Sequence, residues 1–281
     1  MQSVKKARGS ILYHCFIILF GFLMMYPVLW LIASSFKNSS EVFTNAASLI
    51  PKDLKFSNYV DGWKGFGGNT FAVFFKNSFV IVTISMIGQV ISSALVAYGF
   101  ARIKFKGRNF LFACMIVSMM MPGEILMIPQ YLIFSKLHWI NTYKPLIVPA
   151  FFGLPFFIFL MMQFISGLPL ELDESAKIDG CNTFDIFIKI ILPLLFPALI
   201  TSMIFSFYWK WQDFFGPLLY LNKAKLYPVS LALKLFADPS SQTNYGAMFA
   251  MSVLSLVPVF ILFIAFQKYL VEGISTTGMK G

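Results

Sequence analysis

Glu174-Ser175-Ala176-Lys177-Ile178-Asp179-Gly180, followed ten residues after the glycine by Ile190-Ile191-Leu192-Pro193, forms a polar island in an otherwise apolar chain. Five of the twelve carboxylates lie in it or beside it: Glu171, Asp173, Glu174, Asp179 and Asp185. Apolar runs flank it, from about 146 to 165 and from about 194 to 221. An acidic segment this organised between two hydrophobic runs reads as a docking element for a soluble partner.

Working outward, the chain is 58% hydrophobic and only 12% charged, with a mean hydropathy of +0.76. A soluble domain carries roughly a quarter charged residues. Each membrane-crossing helix needs about 20 apolar residues. Runs of that kind fall at about 11–33, 71–98, 110–134, 146–165, 194–221 and 245–266. They are continuous rather than alternating, which favours helices over a barrel. The expected fold is an all-α integral membrane protein of six spans, one domain over 1–281, with the polar loop at 166–193 and a short tail at 267–281.

The first run follows Lys5, Lys6 and Arg8 but is too long for an ordinary signal peptide, so it reads as an uncleaved span. Small residues Gly88, Ser92, Ser93, Ala94 and Ala97 give the second span a face for close packing. The third is broken by Pro122, Gly123 and Pro129. The glycines between Gly62 and Gly68 lack the lysine and preceding strand of a phosphate loop, and read as a plain loop. The formal charge of +10 is spread over loops at span borders, so nucleic acid is excluded as a partner. Three cysteines and two isolated histidines give no disulfide framework or metal spacing. Basic residues are densest before the first span and at Arg102, Lys104, Lys106 and Arg108. That density places both termini and the polar island in the cytoplasm of a multi-pass protein of the cell membrane.

Within the island, Pro169 can start a helix, and Glu171, Asp173 and Glu174 suit the positive end of its dipole. Ser175 and Ala176 are small enough for close approach by another surface. Gly180 can end the helix in a left-handed conformation, and Asn182 or Thr183 can cap a second one. The second helix carries Phe184, Phe187, Ile188 and Ile191 on one face, and Pro193 stops it before the next span. The product is a helix-turn-helix at the membrane surface.

Glu124 and Asp213 sit within apolar runs. A charge at the bilayer centre costs about 2.5–3.5 kcal/mol on insertion scales, so each faces protein or water. Lys210 and Asp213, three apart, can neutralise each other. Trp209 and Trp211 offer rings on which a sugar could stack, although interface anchoring and packing are the commoner roles. With Gln212, these residues make up a candidate substrate path: Glu124, Trp209, Trp211, Gln212 and Asp213.

The island resembles the cytoplasmic coupling loop of ABC importer permeases, which reads Glu-Ala-Ala, three residues, Gly, nine residues, Ile, one residue, Leu-Pro. Ser175 for alanine is the one departure. Trp211-Gln212-Asp213-Phe214-Phe215-Gly216-Pro217-Leu218-Leu219 resembles the Trp-Asn-x-Phe-x-x-Pro-Leu signature of the carbohydrate branch, with Gln212 for asparagine. Met121-Pro122, Ile128-Pro129, Gln130-Tyr131 and Asn141-Thr142-Tyr143 are similar to that branch's third-span region. Gly273 to Gly281 resembles the tail of maltose-type second permeases. The resemblance implies a non-catalytic translocation subunit for a sugar, and no Walker A sequence occurs in the chain.

ATP and Mg would be bound by two separate ATP-binding subunits. A second related permease and an extracytoplasmic solute-binding protein would complete the assembly. Glu174, Ser175, Ala176, Asp179 and Gly180 would contact the ATPase, joined by Thr276 and Gly278 of the tail. The competing reading is a proton- or sodium-coupled secondary transporter using Glu124 and Asp213. It leaves the organised loop unexplained, and no internal repeat supports it.

Overall fold

The computed structural model describes residues 2–236 and 244–278, with side chains described over 13–236 and 244–269. Among the described residues it is helical throughout, with a single isolated bridge between Phe66 and Asn69 and no strand. Four helices are long and apolar enough to cross a bilayer: Tyr13–Ser34, Phe71–Arg102, Lys144–Ser166 and Tyr245–Tyr269. Two further pairs qualify only when each is taken together: Arg108–Met119 with Gly123–Lys136, bent by 103°, and Thr183–Leu194 with Phe196–Trp211, bent by 75°. The crossings therefore number four, or up to six if each bent pair is one.

The departures from the expected spans have local causes. The break in the third run is at Met120–Pro122, where Pro122 is extended (φ −60°, ψ 130°) and precedes the next helix. Pro129, expected to break the same run, lies inside Gly123–Lys136. The run from 194 to 221 is two helices, Phe196–Trp211 and Phe215–Tyr220, parted at Gln212. The last helix continues past 266 to Gly278, so the backbone of the expected tail is helical as far as that residue. Met279 to Gly281 lie outside the described residues.

The chain divides into two compact units. One comprises Met1–Phe71 with Leu233–Val257. Its segment after the first helix is built rather than slack. Lys37 is fully buried and donates from Nζ to the carbonyls of Asn45 (3.1 Å) and Ser48 (2.6 Å). Asn58 Nδ2 donates to the carbonyls of Ser35 and Lys37, both at 2.9 Å. A Cβ at Gly246 would stand 2.5 Å from the Lys37 carbonyl oxygen, so only glycine permits that approach.

The other unit comprises Ala72–Ala232 with Pro258–Gly281. The Phe71–Arg102 helix is its spine, and the small face expected from the sequence is used there. A Cβ at Gly88 would come within 2.7 Å of the Phe151 ring. Ser93 Oγ accepts from Leu154 N at 3.0 Å, and Ala94 and Ala97 are buried. Gln89 accepts from Ser206 Oγ at 2.7 Å, which satisfies a polar side chain inside the apolar packing.

Candidate functional site

Two short helices form a hook between the Pro155–Ser166 and Phe196–Trp211 helices. Glu171–Ile178 comes first, with Glu171, Asp173 and Glu174 in its first turn and Lys177 in its last. Both ends suit the helix dipole. Pro169 precedes the helix by two residues rather than sitting in it. The helix closes through Gly180, whose φ is +84°. Cys181 N donates to Ala176 O (2.9 Å) and Gly180 N to Lys177 O (3.1 Å). That pair of bonds is a Schellman closure, which needs a left-handed residue where Gly180 stands.

Asn182, of the two candidate caps, opens the second helix. Its Oδ1 accepts from Phe184 N and Asp185 N, both at 2.9 Å. The helix runs Thr183–Ile186, widens to a π turn over Phe187–Ile191 and continues through Leu192–Leu194. Pro193 does not stop it: the axis turns 75° just beyond, at Leu195. Pro193 lacks the N–H that an α turn would bond back to Lys189, which fits the wider turn before it. The buried face is not the one expected. Ile186, Phe187 and Ile191 are buried, whereas Phe184 and Ile188, expected on that face, are exposed. Asp185 and Lys189 pair at 2.7 Å on the outer side, and the ammonium holds the carboxyl below its usual range.

The predicted contact residues divide. Glu174, Ser175, Asp179 and Gly180 are exposed, together with Ile178 at 87% and Phe184 at 66%. Ala176 is 4% exposed and sits in the chain's own core with Tyr98, Phe187 and Ile191. Its small size therefore serves close packing inside this chain, not a partner's surface. Thr276 and Gly278 lie on the helical backbone of the last element, and their side chains are outside the described residues.

The inner side of the hook carries residues that sequence reasoning missed. Asp173 is 7% exposed, and its Oδ2 lies 2.8 Å from Arg102 Nε, an ion-pair distance not aligned as a hydrogen bond. The Arg102 Nη2 donates to Leu168 O at 2.9 Å, with Pro169 O at 3.5 Å. One turn earlier, Tyr98 Oη donates to Thr183 O (3.1 Å), and its ring lies 5.1 Å from that of Phe187. Arg102 counts in the sequence as one of four loop cations. Only the fold shows that its charge is spent on Asp173. A signal was available: Asp173 and Ala176 are three apart and so share one helical side.

The candidate path residues are not brought together as one constellation. Trp211 is 6% exposed and stacks on Phe207 with ring centroids 5.3 Å apart. Trp209 stacks on Phe157 at 5.5 Å and 8°, beside Phe156 and Phe205. Both rings are engaged by neighbouring aromatics, as the packing role requires. Asp213 does not neutralise Lys210 by contact. Its Oδ1 accepts from Gly216 N at 3.1 Å and its carbonyl from Ser230 Oγ at 2.6 Å. The carboxylate thus fastens the turn into Phe215–Tyr220. Gln212 is exposed at the end of its helix, and Glu124 is exposed in the first turn of Gly123–Lys136. No group of three metal-binding side chains is found among the described residues.

An all-helical chain with several helices apolar enough to cross a bilayer, and a polar hook between two of its apolar helices, has the form of a membrane permease. The chain belongs to the family of binding-protein-dependent transport system inner membrane components, whose model matches residues 89–276. It is a permease subunit of an ABC importer, a translocation component rather than an enzyme.

Among its relatives is the arabinooligosaccharides transport system permease protein AraQ of Halalkalibacterium halodurans, 36% identical and aligned over 93% of each chain. The trehalose/maltose transport system permease protein MalG of Thermococcus litoralis is 30% identical over 94% of each. The probable ABC transporter permease protein YurM of Bacillus subtilis is 33% identical over 95% of this chain and 87% of its own. A chain from the crystal structure of a bacterial ABC transporter that imports the acidic polysaccharide alginate superposes with a TM-score of 0.80. It is 22% identical and covers 92% of this chain and 95% of its own, a likeness of fold.

Proposed function

We propose that this permease moves a sugar, most simply an oligosaccharide, across the cell membrane, driven by ATP that separate subunits bind with Mg and hydrolyse. The observation that carries the coupling half of this reading is the two-sided hook. One side is packed into the chain, and the other leaves Glu174, Ser175, Ile178, Asp179 and Phe184 without cover. Exposed apolar residues beside carboxylates on a rigid helix suit a groove on a soluble protein. Two ATP-binding subunits would supply such grooves, one for this hook and one for that of a second, related permease. Glu174 would pair there with a basic residue.

The sugar half rests on the relatives, two of which carry the names of arabinooligosaccharide and trehalose/maltose systems. A solute-binding protein would deliver the sugar on the far side. Basic density before the first span and in the 102–108 loop supports cytoplasmic termini and a cytoplasmic hook. The secondary-transporter reading is not favoured, since Asp213 is committed to the turn at Gly216.

The test is ATP hydrolysis by the purified complex in liposomes, with binding protein and a panel of oligosaccharides, for wild type and Glu174→Arg. Stimulation by one loaded binding protein that is lost in the assembled variant is the expected result. Undiminished stimulation in the variant would remove Glu174 from coupling. A permease that copurifies with no ATPase would overturn the reading.

A further inference from the structure

Pushing on an exposed helix moves a membrane span only if the helix is fastened to that span. The peptide links at either end of the hook are poor fasteners. On entry, residues 167–170 form a non-helical connection. On exit, beyond a π turn and a proline, the axis turns by 75° at Leu195. The hook shares an apolar core with Met161 and Ile165 of Pro155–Ser166 as well as with Tyr98, but its polar side-chain attachments are lateral and come from one element, the last turn and a half of the Phe71–Arg102 helix. Arg102 holds the first hook helix at buried Asp173 and the entering chain at Leu168 O. Tyr98 holds the second hook helix at Thr183 O, and its ring packs on Phe187.

We propose that Arg102, seconded by Tyr98, is the positioning residue that makes the hook and the Phe71–Arg102 helix one lever. The proposal rests on the reading of the hook as the surface on which an ATPase subunit acts. Three features favour this over ordinary packing. Both hook helices are gripped by the same helix, so the grip fixes their mutual angle as well as their seat. The guanidinium is almost completely buried, with side-chain exposures of 6% for Arg102 and 10% for Asp173. A buried pair of this kind adds little net stability compared with apolar packing, but losing one partner strands a charge. The pair is therefore suited to fixing one geometry. Finally, the residues gripped alternate with those left outside: Asp173 and Ala176 face in, while Glu174 and Ile178 face out. A force on the outer residues falls on a helix whose inner side is already bound to the span.

The test uses the whole transporter in liposomes: both permeases, both ATPase subunits and the binding protein with its sugar. Wild type is compared with Arg102→Ala, Arg102→Lys, Tyr98→Phe and Glu174→Arg. Assembly is read by copurification of the ATPase subunits. Coupling is read as binding-protein-stimulated hydrolysis per assembled complex and as sugar moved per ATP.

Arg102→Ala is expected to assemble and keep unstimulated hydrolysis, while stimulated hydrolysis and sugar per ATP fall by about tenfold, within the usual span of a coupling free energy. Arg102→Lys, which keeps the charge but not the fork, should recover part of the loss. Tyr98→Phe, which removes one neutral hydrogen bond, should cost about threefold. A residue needed only for folding would lower the yield of complex and leave sugar per ATP unchanged, and that result overturns the proposal. If Arg102→Ala does not assemble, Tyr98→Phe and Arg102→Lys decide by the same ratio: wild-type coupling in both rejects the lever. Loss of coupling in Glu174→Arg with none in the Arg102 and Tyr98 variants rejects the lever alone. Wild-type coupling in Glu174→Arg rejects the underlying reading of the hook as well.

Discussion

Gly180→Ala isolates the contribution of one backbone angle to the hook. Gly180 holds φ at +84°, and a Cβ built there meets nothing within 4 Å. Crowding therefore adds nothing, and the cost is that of the conformation alone. A left-handed residue with a Cβ is disfavoured by about 1–2 kcal/mol. The unfolded chain loses freedom when glycine becomes alanine, which returns about 0.4–1 kcal/mol. The net is about 1 kcal/mol, or roughly a fivefold increase in the opened population. Gly107 supplies a matched control, with φ of +84° and the same open surroundings. It stands outside the hook, at the start of Arg108–Met119.

The assay is tryptic cleavage after Lys177 in the detergent-solubilised chain, because cleavage of a locally opened segment follows the opened population when closing is fast. Gly180→Ala should speed it about fivefold, and Gly107→Ala should leave it unchanged. Gly180→Asn should fall between wild type and alanine, since asparagine tolerates the left-handed region. Equal acceleration in both alanine variants would mean that global loosening is being read. No acceleration in Gly180→Ala would mean that the Schellman closure does not hold the hook shut.

Two further outcomes concern the second hook helix. Asn182→Ala strands the amides of Phe184 and Asp185, a loss of about 1 kcal/mol, so those two amides should exchange hydrogen roughly fivefold faster while the amides of Phe196–Trp211 are unchanged. Lys189 lowers the pKa of Asp185 below its ordinary 3.8, and Asp185 raises that of Lys189 above its ordinary 10.5. The pair's contribution is then complete between those two values. It is lost as pH falls through the lowered value of Asp185, or rises through the raised value of Lys189. Both groups are exposed, so the effect is small. Protection of the Thr183–Leu194 amides should be flat across neutral pH, and Lys189→Gln should flatten the acid limb.

The hook's outline was legible because it depends on short-range rules. A glycine after a helix of fitting length and an asparagine two residues later specify a closure and a cap, whatever surrounds them. The small face of the second span was legible for a similar reason, since glycine and alanine at helical spacing leave room for a neighbour. What escaped depends on partners distant in sequence. Arg102 and Asp173 are separated by 71 residues (173 − 102), and nothing local distinguishes Arg102 from Lys104 or Lys106. Lys210 and Asp213 share a helical side, yet the turn at Gly216 competes for the carboxylate and wins. Phe184 and Ile188 fit an α-helical face with Phe187 and Ile191 on paper, but the fold centres burial on the adjoining stripe, Ile186, Phe187 and Ile191, because that is the side on which Tyr98 and the rest of the core lie. Lys37 reads as one more loop cation, while in the fold two carbonyls enclose it.

Glu174, Ser175 and Ala176 are adjacent, yet they answer to different neighbours. Ser175 is small on the outer side, where any partner must approach the helix backbone. Ala176 is small on the inner side, where Tyr98 and Phe187 already occupy the space. A helix turns by 100° per residue, so three successive positions cannot all face the same surface. One short stretch can therefore specify both how closely a partner seats and how closely the hook seats on its own span. The two requirements are mechanically linked, because slack at either contact would absorb the displacement before the Phe71–Arg102 helix moved. On the lever proposed above, small side chains on both sides, with a buried ion pair next to the inner one, would remove that slack at two successive joints.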